Sequence, residues 1–527
     1  MKKIFKIKES YFYYFLLIYF LFGIYLSLEV GITHDEAHSN WVWELNKYKI
    51  LNIFFNKSYD VGYLDTYHGY YGAGFYFISS LVENIFSGFI DKNKINAEGI
   101  ELLIKHPTVF LFFIFSSIYF KKIIFLITKD KIFSNLSAVL FLTYPYLFGH
   151  SLFNIKDIPF MSVWLICTYF LINILNGYFS KNKFKIKNIF ILAILTSYLL
   201  SLRISGILIF IQYLVFLAVF LNISKVSIIS FLKDNIIKIS IFFFTFFISL
   251  YLFYPSFWGN PLKFYDSILF MSQHIQTVCT TTLGTCMKAQ NLPSSYIFIW
   301  LLFKLPIFII IGLLLFPFVE KQLFENKTNI LVIGSSLITV FTIIFILIFF
   351  EANLYDELRQ VLFLIPFLFI ISLVTLYYYK KKLTLILTTI FIIFFSIQNL
   401  KIFPFNYLWL NNLNILVDVN KNFELDYWGV STKKIANFIN EKKLKKNSCI
   451  ISNRIDGIKY YTSKQNNCFK TLKELHKKNE RPFYVALTER ALNKGLPNNC
   501  KLIYNDNIKL NFSEQELVLS KFYECFN

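Results

Sequence analysis

The run YFYYFLLIYFLFGIYLSLEV (residues 11–30), followed at once by GITHDEAHSN (residues 31–40), decides the architecture. Glu29 is its one charged residue, and about 20 apolar residues rising about 1.5 Å each cover the hydrocarbon core of a bilayer. Lys2, Lys3, Lys6 and Lys8 precede the run and no small-residue cleavage site follows it. It therefore reads as a retained span with its N-terminus inside, not as a removable signal. Immediately after it stand His34, Asp35, Glu36 and His38, ionisable groups at a depth where charge is costly and needs a reason.

Working outward, the same apolar texture recurs at about 107–127, 132–149, 159–176, 188–202, 204–222, 239–255, 296–316, 330–350, 360–379 and 383–400. With the first run this makes about eleven spans, the pair around Ser201–Gly206 being short enough for one broken unit. The block from Tyr70 to Phe89 holds Glu83 and several glycines and is expected on the outer interface. Hydrophobic residues are 56% of the 527 and charged ones only 16%, which excludes a water-soluble chain. The net charge of +21 would suit nucleic acid on a soluble protein. Here the lysines sit between apolar blocks (Lys121, Lys122, Lys129, Lys131; Lys181, Lys183, Lys185, Lys187; Lys225, Lys233, Lys238; Lys380, Lys381, Lys382), the pattern of loops kept on the cytoplasmic side. No nucleic-acid partner is expected.

Alternation from an inside N-terminus puts residues 401–527 outside, as a small extracytoplasmic α/β domain following a transmembrane domain of residues 1–400. Thr432–Lys443 reads as an amphipathic helix, and Cys449–Ser452, Phe483–Leu487 and Leu517–Phe522 read as strands. Cys167 falls within a span, while Cys279, Cys286, Cys449, Cys468, Cys500 and Cys525 all fall on the outer side, an even number suited to disulfides. Cys279 and Cys286 are candidates to close a small loop; the four tail cysteines allow three connectivities.

The polar residues of the outer loops carry the chemistry. Asp35 or Glu36 is placed to deprotonate an acceptor hydroxyl or to hold a cation near a phosphate. Asp157, in FNIKDIP (residues 153–159), is either a helix cap or a second carboxylate facing Asp35. Lys156 and His150 are candidate phosphate contacts. Arginine is scarce, five among 53 basic residues, yet Arg203 and Arg359 stand at outer span ends, where a guanidinium clamps phosphate through two parallel hydrogen bonds. Arg359 follows Tyr355, Asp356 and Glu357. The stretch YPSFWGNP (residues 254–261) opens a loop of about 30 residues, the length of a lid or binding element. His34 and His38 do not form a His-Glu-x-x-His motif.

The chain resembles the membrane-embedded GT-C glycosyltransferases, the branch that holds dolichyl-phosphate-mannose–protein mannosyltransferases and the aminoarabinose and Rgt-type bacterial transferases. Four matches carry the resemblance: Asp35-Glu36 after the first span, residues 153–159, residues 254–261, and Tyr355-Asp-x-x-Arg-Gln360. With the span layout they cover residues 1 to about 400. One departure is Ile155, where the family pattern has proline before Lys156-Asp157. The resemblance implies an inverting glycosyltransferase. A polyprenyl-phosphate sugar would meet an acceptor hydroxyl on a glycolipid, polysaccharide or protein at the outer face of an inner membrane. Asp35 would be the base, with Glu36 beside it, and Asp157 the second acid. Lys156, Arg203 and Arg359 are candidates for the donor phosphate, and His34, His38, His150, Tyr355 and Asp356 for acceptor or lid contacts. A divalent cation stays open, since family members differ on metal. Rival readings are a lipid-linked polysaccharide polymerase or ligase, which shares the substrate class, and a transporter or flippase. The latter wants ionisable groups near the midplane instead of at span ends.

Overall fold

The computed structural model describes residues 9–179, 185–274, 278–442, 444, 448–462, 468–475, 483–488, 491–492, 495–496, 499–510 and 515–526. The expected inner lysines Lys2, Lys3, Lys6, Lys8, Lys181 and Lys183 lie outside the described residues.

Among the described residues, seven helices are long and apolar enough to cross a membrane, or nine when each of two bent pairs counts as one span. The chain is a polytopic membrane protein. Its apolar side chains point outward as well as inward: Phe244, Phe247, Phe341 and Phe345 are each more than 60% exposed, which only a lipid surround makes favourable. The expectation of about eleven spans differs from this count at two places. Helix Ile186–Leu202, 17 residues long, lies at the lower limit for a crossing. Residues 360–379 and 383–400 run on from each other through a kink at Lys380, where the backbone leaves helical geometry (φ −151°, ψ 80°), and are counted together.

The bends follow proline. Helices Lys131–Thr143 and Pro145–Ser151 meet at 64°, and Tyr296–Lys304 and Ile307–Leu314 at 117°. Tyr144 and Leu305, the residues before Pro145 and Pro306, have ψ of 115° and 137°, as the proline ring requires of its predecessor. The bundle core is aromatic, with Phe110, Phe113, Phe120, Phe141, Trp164 and Phe363 buried together. Residues 405–430 do not leave this core: Phe405, Tyr407, Trp409, Phe423 and Trp428 are buried within it.

Among the described residues, the tail holds a five-stranded sheet with a helix on one face. A small hairpin, β1 (Cys279–Thr282) and β2 (Thr285–Lys288), precedes it in the chain. The sheet comprises β3 (Cys449–Ser452), β4 (Cys468–Thr471), β5 (Phe483–Thr488), β6 (Cys500–Lys509) and β7 (Glu516–Cys525), ordered β4-β3-β5-β7-β6. The β3 strand runs parallel to β4 and β5, whereas β7 is antiparallel to β5 and β6. Helix Thr432–Lys442 lays Ile435 and Ile439 against Ile450, Tyr484 and Phe522; the same cluster takes in Ile24, Leu28 and Ile32 from the first helix and its exit. The tail thus grips the loop that carries Asp35. Tyr461 Oη accepts from the Ile32 N–H (3.2 Å), and Lys433 Nζ donates to the Glu29 carbonyl (2.7 Å).

Register settles the cysteine connectivity. Cys449 faces Cys468 across β3 and β4, and Cys500 faces Cys525 across β6 and β7; both pairs are bonded, as are Cys279 and Cys286 across the hairpin. Peptide mapping without reduction is expected to return these three links. A Cys449–Cys500 or Cys468–Cys525 peptide would contradict the sheet register.

Candidate functional site

Four chain ends converge on one rim of the bundle. Helix His34–Phe55 begins just after the first span, so Asp35 lies in its first turn. Helix Asp157–Phe179 begins at the second carboxylate. Helix Ile186–Leu202 stops at Arg203, whose extended backbone (φ −152°, ψ 134°) breaks the chain before it resumes at Ile204–Leu208. Arg359 opens the turn Arg359–Leu364 that leads into the long helix. Together they enclose a cavity of about 160 Å³, whose lining includes Asp35, Lys156, Asp157, Arg203, Tyr355 and Arg359.

The charges alternate around the wall. Asp35 Oδ2 stands 3.6 Å from Lys156 Nζ and 3.5 Å from Arg359 Nη1. Burial opposes ionisation of Asp35. Lys156, His34, Arg359 and Arg454 outweigh it and hold the carboxyl below the usual range. Asp157 pairs with Arg203 through Oδ1, and Arg203 Nη2 donates to Gln360 Oε1 (3.1 Å). Asp157 is not the helix cap. Asn154 Oδ1 accepts from the N–H groups of Lys156 (3.2 Å) and Asp157 (2.9 Å), while its amide Nδ2 donates to Asp157 Oδ2 (2.9 Å). Asn154 therefore starts the helix and aims the carboxylate.

Arg359 is steered by its own loop. Asp356 and Glu357 both take left-handed backbone, φ 57° and 64°, which aspartate tolerates and which is costly for glutamate. The Asp356 carboxylate holds Arg359 Nε (3.3 Å), and the guanidinium lies on the rings of Tyr355 (4.8 Å) and Trp428 (4.5 Å). Glu357 turns inward to Lys304 (2.7 Å) and the Tyr427 hydroxyl (3.4 Å), and burial pushes its carboxyl up to about 7.

The other sequence candidates stand elsewhere. Glu36, next to Asp35, points away from the cavity: it accepts from the Thr33 N–H and hydroxyl (both 2.7 Å) and contacts His106 Nε2 (2.9 Å). Successive helical residues point about 100° apart, so one carboxylate of the pair serves the rim and the other locks the turn. His150 is buried beside Asn154 (3.0 Å) and the Tyr427 hydroxyl (3.4 Å), not in the cavity. His38 pairs with His68 (3.0 Å), and His34 flanks Asp35 at 3.2 Å. Asp356 serves through Arg359. Among the described residues, no group of three or more His, Cys, Asp or Glu is placed to hold a metal ion.

Sequence reasoning missed Tyr71 and His274 in the lining and had Gln360 only as part of a motif, with no role. His274 and Met271 come from the long outer loop, whose helix Lys263–Gln273 packs over Tyr67–Tyr70. The preceding 254–261 stretch braces helix His34–Phe55: the Ser256 N–H donates to Asn46 Oδ1 (3.0 Å), and Lys49 Nζ donates to the Ser256 carbonyl (3.2 Å).

Comparison with protein-family models and with curated proteins gives no match. Among solved structures, the chain is similar to ArnT from Cupriavidus metallidurans bound to undecaprenyl phosphate, at 10% identity and a TM-score of 0.48. It is also similar to the apo state of that protein, at 9% identity and a TM-score of 0.47. In both cases 98% of each chain is covered.

Two outcomes follow from this geometry. Asn154→Ala removes a hydrogen bond from a buried carboxylate and is expected to cost about 1–3 kcal/mol, read as a lower thermal midpoint. An unchanged midpoint would show that Asp157 does not lean on it. For His38, burial first and Lys156 and His68 second lower the imidazole to about 4. The folded state therefore binds fewer protons than the unfolded chain, and His38 adds stability that is lost as pH falls from about 6.5 to about 4. His38→Gln is expected to flatten the drop in thermal midpoint over that window.

Proposed function

We propose that this chain is a membrane glycosyltransferase of the GT-C type, which moves a sugar from a polyprenyl-phosphate carrier to an acceptor hydroxyl. The observation that carries the reading is Asp35, held between Lys156 and Arg359 on the wall of a cavity shared with the Asp157–Arg203 pair. A carrier lipid cannot leave the bilayer, so its phosphate must be met at the rim of the bundle. The six paired cysteines support an oxidising, extracytoplasmic location for this side, and hence a cytoplasmic N-terminus.

The reaction needs a base, a leaving-group clamp and fixed geometry. The acceptor oxygen forms a bond to the anomeric carbon as the bond from that carbon to the phosphate oxygen breaks. The electron pair leaves with the polyprenyl phosphate, the hydroxyl proton passes to Asp35, and the anomeric centre inverts. Charge grows on the phosphate as it departs, and Arg359, Lys156 and Arg203 stabilise that growth more than the ground state. The same cations tune the base. A donor phosphate competes with Asp35 for Lys156 and Arg359, and each cation drawn away raises the proton affinity of the carboxylate. Asp157, oriented by Asn154, holds Arg203 in place for this role.

Asp35→Asn tests the reading in purified protein reconstituted with a polyprenyl-phosphate sugar and membrane-derived acceptors. Turnover is expected to fall by about 10²–10⁴, the size of a lost general base, in protein that still folds and inserts. Unchanged turnover would eliminate Asp35 as base. Arg359→Lys keeps the charge but loses the planar two-point contact and is expected to lower kcat more than it raises the donor KM.

A further inference from the structure

A second cavity, about 90 Å³, lies beside the first at the start of helix His34–Phe55. Three segments build it: residues 32–37, residues 428–432, and residues 453–460 of the tail. Two residues join the cavities. His34 lines the second, and its Nδ1 is 3.2 Å from Asp35 Oδ1 in the first. Trp428 also lines the second, and its ring lies under Arg359, which lines the first. A group seated in the second cavity therefore meets His34, the direct partner of Asp35, on a side distinct from Lys156, Asp157 and Arg203.

We propose that this second cavity is the acceptor subsite and that it takes a saccharide unit whose hydroxyl is presented to Asp35. The inference rests on the transferase reading above and deepens it by naming the acceptor class and giving the tail domain its task. The lining has the chemistry of sugar recognition. Tyr460 and Trp428 border it as buried rings, and Arg454 and Asp456 bring a guanidinium and a carboxylate to its wall, groups suited to sugar hydroxyls. The Trp428 indole N–H is buried, with the residue 2% exposed, and has no hydrogen-bond partner among the described residues. An N–H so placed needs a ligand or water oxygen. Arg454, one of five arginines in the chain, also acts electrostatically on both His34 and Asp35, which places the tail's charge within reach of the base. Arg454 and Asp456 stand at the start of the short helix Ile455–Lys459 that follows β3, so the sheet that grips the first outer loop also furnishes the pocket.

The test measures KM for donor and acceptor separately in the full-length protein, reconstituted in proteoliposomes. The acceptor probes are a glycolipid fraction and a polysaccharide fraction from envelope membranes and a serine- and threonine-rich peptide set. Arg454→Ala and Asp456→Ala are expected to raise KM for a saccharide acceptor about tenfold or more, the size of one lost charge-assisted hydrogen bond, with donor KM moving less than twofold. Arg454→Lys should recover part of the loss, and Lys501→Ala, exposed on β6, should change neither constant. The arm that responds tells a lipid-borne sugar from a polysaccharide end. If Asp35→Asn abolishes transfer while both tail variants keep the acceptor KM, this inference falls and the transferase reading stands. A rise confined to the peptide arm would overturn the saccharide assignment. Transfer untouched in Asp35→Asn would remove the reading beneath both.

Discussion

An ionised carboxylate at the rim of a lipid-embedded bundle cannot stand alone, and the pairing of Asp35 with Lys156 and Arg359 meets that demand. The three groups come from three separate parts of the chain: the first outer helix, the turn before helix Asp157–Phe179, and the turn before the long helix. Asp157, next to Lys156 on the same helix start, repeats the arrangement with Arg203 from a fourth chain end. Charge balance and helix packing are therefore one constraint. A span that shifted along its axis would leave a half-buried charge without its partner.

The backbone irregularities lie where this constraint is met. Arg203 reaches Asp157 because helix Ile186–Leu202 breaks at that residue. Arg359 reaches Asp35 from a loop whose left-handed Asp356 and Glu357 turn one carboxylate toward the guanidinium and the other toward Lys304. A backbone conformation that costs energy persists where its surroundings over-determine it, and here two buried ion pairs do so. The segment 405–430 adds the last wall. It returns into the helical core, so that Trp428 supports Arg359 and the Trp428 carbonyl accepts from the His34 N–H (3.4 Å).

Much of this was legible before the fold was known. The apolar runs announced a membrane protein because a bilayer demands about 20 apolar residues per crossing, and few other environments do. Asp35, Lys156, Asp157, Arg203 and Arg359 stood out because charge at a span end is expensive, and they share one cavity. The tail's helix and three of its strands were readable from local periodicity alone. By contrast, β4 and β6 carry mixed polar sequences and become strands through their partners.

The sequence by itself determined the solvent, the order of apolar runs, and the small set of ionisable groups that such a solvent makes conspicuous. Only the tertiary structure decided which of two adjacent carboxylates faces the cavity. Asp35 and Glu36 are indistinguishable in a list of residues, but helical rotation sends the second to Thr33 and His106. It likewise chose one cysteine connectivity among three, through strand register, and brought Arg454 beside His34 from more than 400 residues along the chain. Pattern along a chain reports each residue's own cost of burial, whereas contacts between distant segments depend on how every element packs at once.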